Sequence, residues 1–216
     1  MDSAKEIARD MLEAINVDRS GFWGAIAKGF ISLPVSFGYL GYDFMDVEHR
    51  RDNLDDKFRI AQLIKRTTFN KIIVESVINV FVSDFVSRID MPSLGVEIAG
   101  SRVGKIFFAQ WTGIKLGYVI SERAVTALFA VTALFAGTVI GGLLSIGAET
   151  SRAIYTSRYL RERNPEAYYK LKRMGDLDLI YFIVEDAVRP FESACRISEL
   201  NSVEFDRICR YFFGGL

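Results

Sequence analysis

The chain has 216 residues, half of them hydrophobic and a quarter charged, with 27 Lys and Arg against 27 Asp and Glu. That composition excludes a disordered or low-complexity chain, and its zero formal net charge argues against a nucleic-acid binder, which carries a basic excess. A lone histidine, His49, and two cysteines, Cys195 and Cys209, exclude histidine-based and four-cysteine zinc sites.

The first residues lack a basic stretch followed by an apolar one, so synthesis in the cytoplasm without a signal peptide is expected. Ser3 and Glu6 form an S-x-x-E capping box that opens a helix over 4–16, with Ile7, Ala8, Met11, Leu12 and Ile15 on its apolar face. Residues 20–32 are greasier, around Phe22, Trp23, Ile26, Phe30 and Ile31, and Pro34 ends them. This cluster suits core packing, with a lipid-dipping segment as the alternative. Residues 33–46 carry Gly38 and Gly41 and read as a loop or a broken helix. A charged stretch, Asp46 to Asp56, leads into a helix carrying Leu54, Phe58, Ala61 and Ile64. Asp43, Asp46, Glu48 and His49 lie close together there. Carboxylates beside a histidine can serve a hydrolase or nuclease. A solvated, charge-laced helix start is the simpler reading.

Residues 72–89 place Val74, Val77, Ile78, Phe81, Val82, Phe85, Val86 and Ile89 at helical spacing, with Glu75, Ser76, Asn79, Ser83 and Ser87 opposite. The β-branched content favours a strand, but the period of 3.6 predicts a helix. Residues 151–173 are basic, with seven Lys or Arg against two Glu, and 176–206 are acidic, with eight Asp or Glu against two Arg. Tyr168 and Tyr169 suit either a membrane interface or a core. Two further helices are expected, over 176–189, ending before Pro190, and over 202–213. Cys195 and Cys209 would pair only if two helices met there; two free core thiols are expected. The apolar tail, Phe212 to Leu216, is expected to dock on the body or on a partner. The fold expected is all-α: one domain over 1–216, a bundle of about seven to nine helices around a central hydrophobic hairpin. Within it, 1–92 supply amphipathic helices, 93–150 the hairpin, and 151–216 basic and then acidic helices.

The hairpin carries the functional expectation. Residues 124–148 hold no charged residue in 25, and a helix of that length spans about 37 Å, beyond the roughly 30 Å hydrocarbon core of a bilayer. Their first twelve residues duplicate AVTALF. A second limb, 103–120, is apolar apart from Lys105, Gln110 and Lys115, and Glu122 and Arg123 form the turn between the limbs. A central lysine costs about 3 kcal/mol to insert, so the first limb needs its partner. Ile106, Phe107 and Trp111 on one limb, and Val125, Leu128, Val131, Leu134, Val139, Ile140 and Leu143 on the other, are the candidate membrane-insertion residues. Gly113 with Gly117 and Gly137 with Gly141 are small-xxx-small pairs that let helices approach closely, and Gly100 with Gly104 is a third.

A hydrophobic hairpin among amphipathic helices resembles the pore-forming domain of colicins and the membrane-depolarising effectors of bacterial type VI secretion. The resemblance rests on the limbs Val103–Ile120 and Ala124–Ala148 with the Glu122–Arg123 turn. The colicin hairpin lies near the C-terminus, whereas about 68 residues follow it here. The resemblance implies a non-enzymatic, antibacterial pore-former that inserts into a bacterial inner membrane and depolarises it. It implies no cofactor and no nucleic acid. The implied partners are a lipid bilayer, an immunity protein or effector chaperone, and further copies of the chain in the membrane. Secretion by a signal-less route follows. The alternative is a soluble all-helical binding, immunity or adaptor protein in which 124–148 is the core helix.

Overall fold

The structure, a computed structural model, describes residues 3–15, 45–66, 71–90, 94 and 147–214. Among these residues there are eight helices and no strand, so the fold is all-α. In chain order they are α1 (Ala4–Ile15), α2 (Arg50–Arg66), α3 (Lys71–Ser87), α4 (Gly147–Arg163), α5 (Pro165–Arg173), a 3-10 helix (Leu177–Ile183), α6 (Glu185–Leu200) and α7 (Ser202–Gly214). They fall into two compact units, each built from separated stretches of chain. The first holds α1, α3 from Ile78, α6 from Asp186, and α7. The second holds α2, α3 up to Val77, α4, α5 and the 3-10 helix.

The first unit follows from one-sided hydropathy. Glu6 accepts from the Ser3 backbone N–H at 2.8 Å, and Ser3 Oγ accepts from the Glu6 N–H at 3.3 Å, which is the expected capping box. That bonding holds the Glu6 carboxyl below its usual range. Ala4, Ile7, Ala8, Met11, Ala14 and Ile15 are buried, a helical stripe that packs on α7. The Ala4 N–H donates to Glu204 of α7 at 3.3 Å. On α7, Phe205, Ile208, Cys209, Phe212 and Phe213 are buried, and Asn201 caps the helix by accepting from the Glu204 N–H at 3.1 Å. The expected docking of the tail therefore holds for Phe212 and Phe213.

The expected helix over 72–89 forms as α3, ending at Ser87. Its hydroxyls bond within the helix: Ser76 and Ser87 donate to the carbonyls of Ile72 and Asp84, and Ser83 donates to the Asn79 side chain. Val74, Val77, Ile78, Val80, Phe81, Val82 and Phe85 are buried.

The stretch 176–189 differs from expectation. It is a 3-10 helix over Leu177–Ile183, and α6 then runs straight through Pro190. All seven residues of the 3-10 helix are buried, so no polar face imposes an α-period. Pro190 is the sixth residue of α6, and its missing N–H removes one helical bond. A helix-interior proline costs about 3 kcal/mol. Burial of Val188, Phe191 and Ile197 contributes about 1.5–3 kcal/mol each and outweighs that cost.

The face of α2 also differs. Leu54, Phe58 and Ala61 are exposed, and Asn53, Ile60 and Leu63 are buried instead. The cause is Arg59, whose ion pairs turn its side of the helix inward. The basic stretch folds as two helices, α4 and α5. Asn164 breaks it, accepting from the Ala167 N–H at 3.1 Å, and Pro165 opens α5. Tyr168 is buried and Tyr169 is exposed.

The segment around Phe22, Trp23 and Phe30, and the hairpin 103–148 as far as Ile146, lie outside the described residues.

Candidate functional site

Every candidate membrane-insertion residue lies outside the described residues: Ile106, Phe107, Trp111, Val125, Leu128, Val131, Leu134, Val139, Ile140 and Leu143. So do the packing glycines Gly113, Gly117, Gly137 and Gly141 and the turn residues Glu122 and Arg123. Among the described residues, no helix is long and apolar enough to cross a membrane.

The densest polar site that is described lies in the second unit. Arg59 reaches from α2 toward the start of the 3-10 helix. Its Nη2 donates to both oxygens of Asp178, at 2.7 and 2.9 Å. Its Nε donates to Asp176 at 2.7 Å, and its Nη1 to Asp56 at 2.9 Å. Arg158 of α4 donates to the other oxygen of Asp56 at 2.9 Å, and the Ser157 hydroxyl donates to Asp178 at 2.6 Å. Asp178 is completely buried. The chain delivers these carboxylates through a turn in which Gly175 (φ +101°) and Asp176 (φ +62°) are left-handed, a conformation that Gly and Asp tolerate best.

Burial pushes the Asp178 carboxyl above its usual range, against Arg59 and the Ser157 hydroxyl. Burial also works against the Arg59 charge, yet the carboxylates around it overcome that and hold its pKa above normal. This constellation is a closed ion-pair clasp. Each of the three carboxylates is held, and Asp178 is closed to solvent. Hydropathy gives no sign of it, because Arg59 and Asp178 are residue types that ordinarily lie on the surface.

The Asp46–His49 cluster is an entry turn. Asp46 accepts from His49 Nδ1 at 2.8 Å and from the His49 backbone N–H at 3.2 Å. Tyr155 donates to its other oxygen at 2.9 Å, and Asn53 donates to the Tyr155 hydroxyl at 3.2 Å. The His49 hydrogen bond, with burial opposing it, lowers the Asp46 pKa. Glu48 is exposed, and Asp43 lies outside the described residues. Among the described residues, no three His, Cys, Asp or Glu side chains are grouped to hold a metal ion.

Cys195 and Cys209 are free and buried in the first unit. Burial pushes the Cys209 thiol up to about 12, and it raises Cys195 as well. A thiol so shifted holds almost no thiolate at pH 8. Ellman's reagent should therefore react with neither cysteine in the native protein, and with both in denaturant. Fast modification of the native protein would contradict this packing.

The cations of 151–173 separate into two groups. Arg152 lies 5.3 Å from the Phe182 ring, Arg158 holds Asp56, and Arg163 pairs with Glu185 at 3.6 Å and donates to the Tyr181 hydroxyl. Arg161, Lys170, Lys172 and Arg173 are exposed.

Comparison of the chain with protein-family models, curated proteins and solved structures finds no match.

Proposed function

We propose that this chain is a pore-forming antibacterial effector. It inserts the 103–148 hairpin into a bacterial inner membrane, as an oligomer, and depolarises it. The observation that carries this reading is the charge-free run 124–148, longer than a bilayer core is thick. The glycine pairs and the short polar turn at Ser121–Arg123 support it, because two apolar helices so joined satisfy their own backbone hydrogen bonds in lipid. The amphipathic helices α1, α6 and α7 support it further, since an anchor alone needs no such body. The reading includes delivery by a signal-less route and an immunity protein or chaperone that protects the producer. It needs no cofactor.

The test is leakage of ions and dye from anionic liposomes. Val131→Asp with Ile140→Asp places two charges in the apolar run, each costing about 3 kcal/mol to insert. Leakage should fall at least tenfold, and depolarisation of cells should fall with it. Unchanged leakage from the double variant would overturn the reading.

One observation favours a second account. The helix α4 begins within the last residues of 124–148, and along its middle Ser151, Ala153, Ile154, Tyr155, Thr156, Ser157 and Leu160 are all buried. A chain that covers these residues can cover the run that leads into them, which would make this a soluble binding or immunity protein. That account expects a stable monomer that ignores liposomes.

A further inference from the structure

Two of these four exposed cations, Arg161 and Lys172, lie against one tyrosine ring. The Arg161 guanidinium lies 6.0 Å from the Tyr168 ring, and the Lys172 ammonium lies 5.4 Å from it. The end of α4 and the last turn of α5 thus bring cations to one ring. Lys172 also donates to the Tyr168 hydroxyl at 3.1 Å. Tyr169 stands edge-on to Tyr168 at 5.1 Å and is 54% exposed. Helical spacing sets Tyr169 between Lys172 and Arg173 on the outer face of α5, with Glu166, Lys170 and then the C-cap residue Met174 further round. Met174 is 42% exposed. The opposite face, Ala167, Tyr168 and Leu171, is buried. Only Glu162 and Glu166 bring negative charge to 151–173.

Cations in a last turn complement the helix dipole, which accounts for Lys170, Lys172 and Arg173. It does not account for an exposed tyrosine and methionine among them. An exposed tyrosine flanked by ammonium and guanidinium groups matches the region where lipid headgroups meet acyl chains. The neutral chain as a whole lacks the basic excess that a nucleic-acid backbone draws. The patch lies at the far end of α4, the helix that begins at the last residues of the charge-free run 124–148.

We propose that the outer face of α5, with Arg161, docks the protein on a bilayer surface rich in anionic lipid, seating Tyr169 and Met174 at headgroup depth. This inference rests on the membrane reading above and assigns the surface that makes the first encounter.

The test is flotation of the full chain with phosphatidylcholine vesicles, with and without phosphatidylglycerol, and leakage is read in the same samples. The wild type should bind the anionic vesicles, more weakly as salt rises, and leave the neutral ones unbound. Each cation at such a surface contributes a factor of about five, so Lys170→Gln, Lys172→Gln and Arg173→Gln together should lower affinity about 100-fold. Tyr169→Ser should weaken binding several-fold with the same salt dependence. All four side chains are exposed, and an unchanged circular dichroism spectrum verifies folding. Wild-type affinity in the triple variant, or equal binding to neutral vesicles, would overturn the docking surface. If the triple variant keeps its vesicle binding but loses affinity for a single-stranded RNA oligonucleotide, the face belongs to a nucleic acid and the proposal fails. Vesicle binding that depends on these residues but gives no leakage supports the docking surface and removes the pore. Leakage that survives the triple substitution at wild-type affinity does the reverse.

Discussion

Arg59→Met is expected to destabilise the second unit by about 3–5 kcal/mol, the loss typical of a buried ion pair deprived of one partner. Methionine keeps much of the stem, so little packing is lost with the charge. What remains is Asp178, completely buried, with only the Ser157 hydroxyl to compensate it and with Asp56 and Asp176 close by. Hydrogen exchange of the α2, α4 and 3-10 amides reads the effect directly. Asp178→Leu should cost less, because Arg59 keeps Asp56 and Asp176. The double variant Arg59→Met/Asp178→Leu should recover most of the Arg59→Met loss, as apolar replacement of a whole buried pair often does. Additive losses in the double variant would show that the pair is not coupled.

The pH dependence has a definite sign. Burial raises the Asp178 pKa in the folded state, so folded protein binds that proton more tightly than unfolded chain. The penalty of the Arg59→Met variant is therefore fully present well above the folded pKa of Asp178, and it shrinks as pH falls through it. Glu6 and Asp46 act in the opposite direction. Hydrogen bonds lower their folded pKa values, so their stabilisation is present above the unfolded values and is lost as pH falls through the folded ones.

Helices whose burial is one-sided announce themselves in sequence. In α1 the buried residues recur at three and four positions, and α3 keeps that period despite its β-branched residues. Periodicity fails where burial has no polar side, as in Leu177–Ile183, or where charges turn inward, as at Arg59. The Arg59 partners Asp176 and Asp178 lie 117 and 119 positions away, and no local pattern reports such a pairing. The break between α4 and α5 had a local signal. Asn164 followed by Pro165 is an N-cap before a first-turn proline, but the count of charges across 151–173 masked it. The hairpin is conspicuous for the opposite reason: 25 residues without a charge need no partner to be noticed.

Phe85→Ala is expected to destabilise the first unit by about 3–5 kcal/mol. The Phe85 ring is fully buried and meets Phe191 of α6 at 5.6 Å and Phe205 and Phe212 of α7 at 5.8 Å, each edge to face. Phe191 and Phe212 also meet each other at 6.0 Å, so removing Phe85 empties the middle of a closed set. Each such pair adds about 0.5–1.5 kcal/mol beyond area burial, although the three share one ring and do not simply add. Phe85→Leu keeps most of the volume but loses the ring edges, and should cost clearly less than alanine. Arg88, three residues on, ties the same helix to α6 by donating to Ser198 at 3.0 Å and Glu199 at 2.9 Å. Those bonds are part-exposed and hold the end of α3, and they cannot refill a cavity at Phe85. Amide exchange in α6 and α7 should accelerate by about 100-fold or more in the alanine variant, since 1.4 kcal/mol is a factor of ten when exchange follows opening. An alanine variant that exchanges like wild type would mean that the ring cluster is not what joins α3 to α6 and α7.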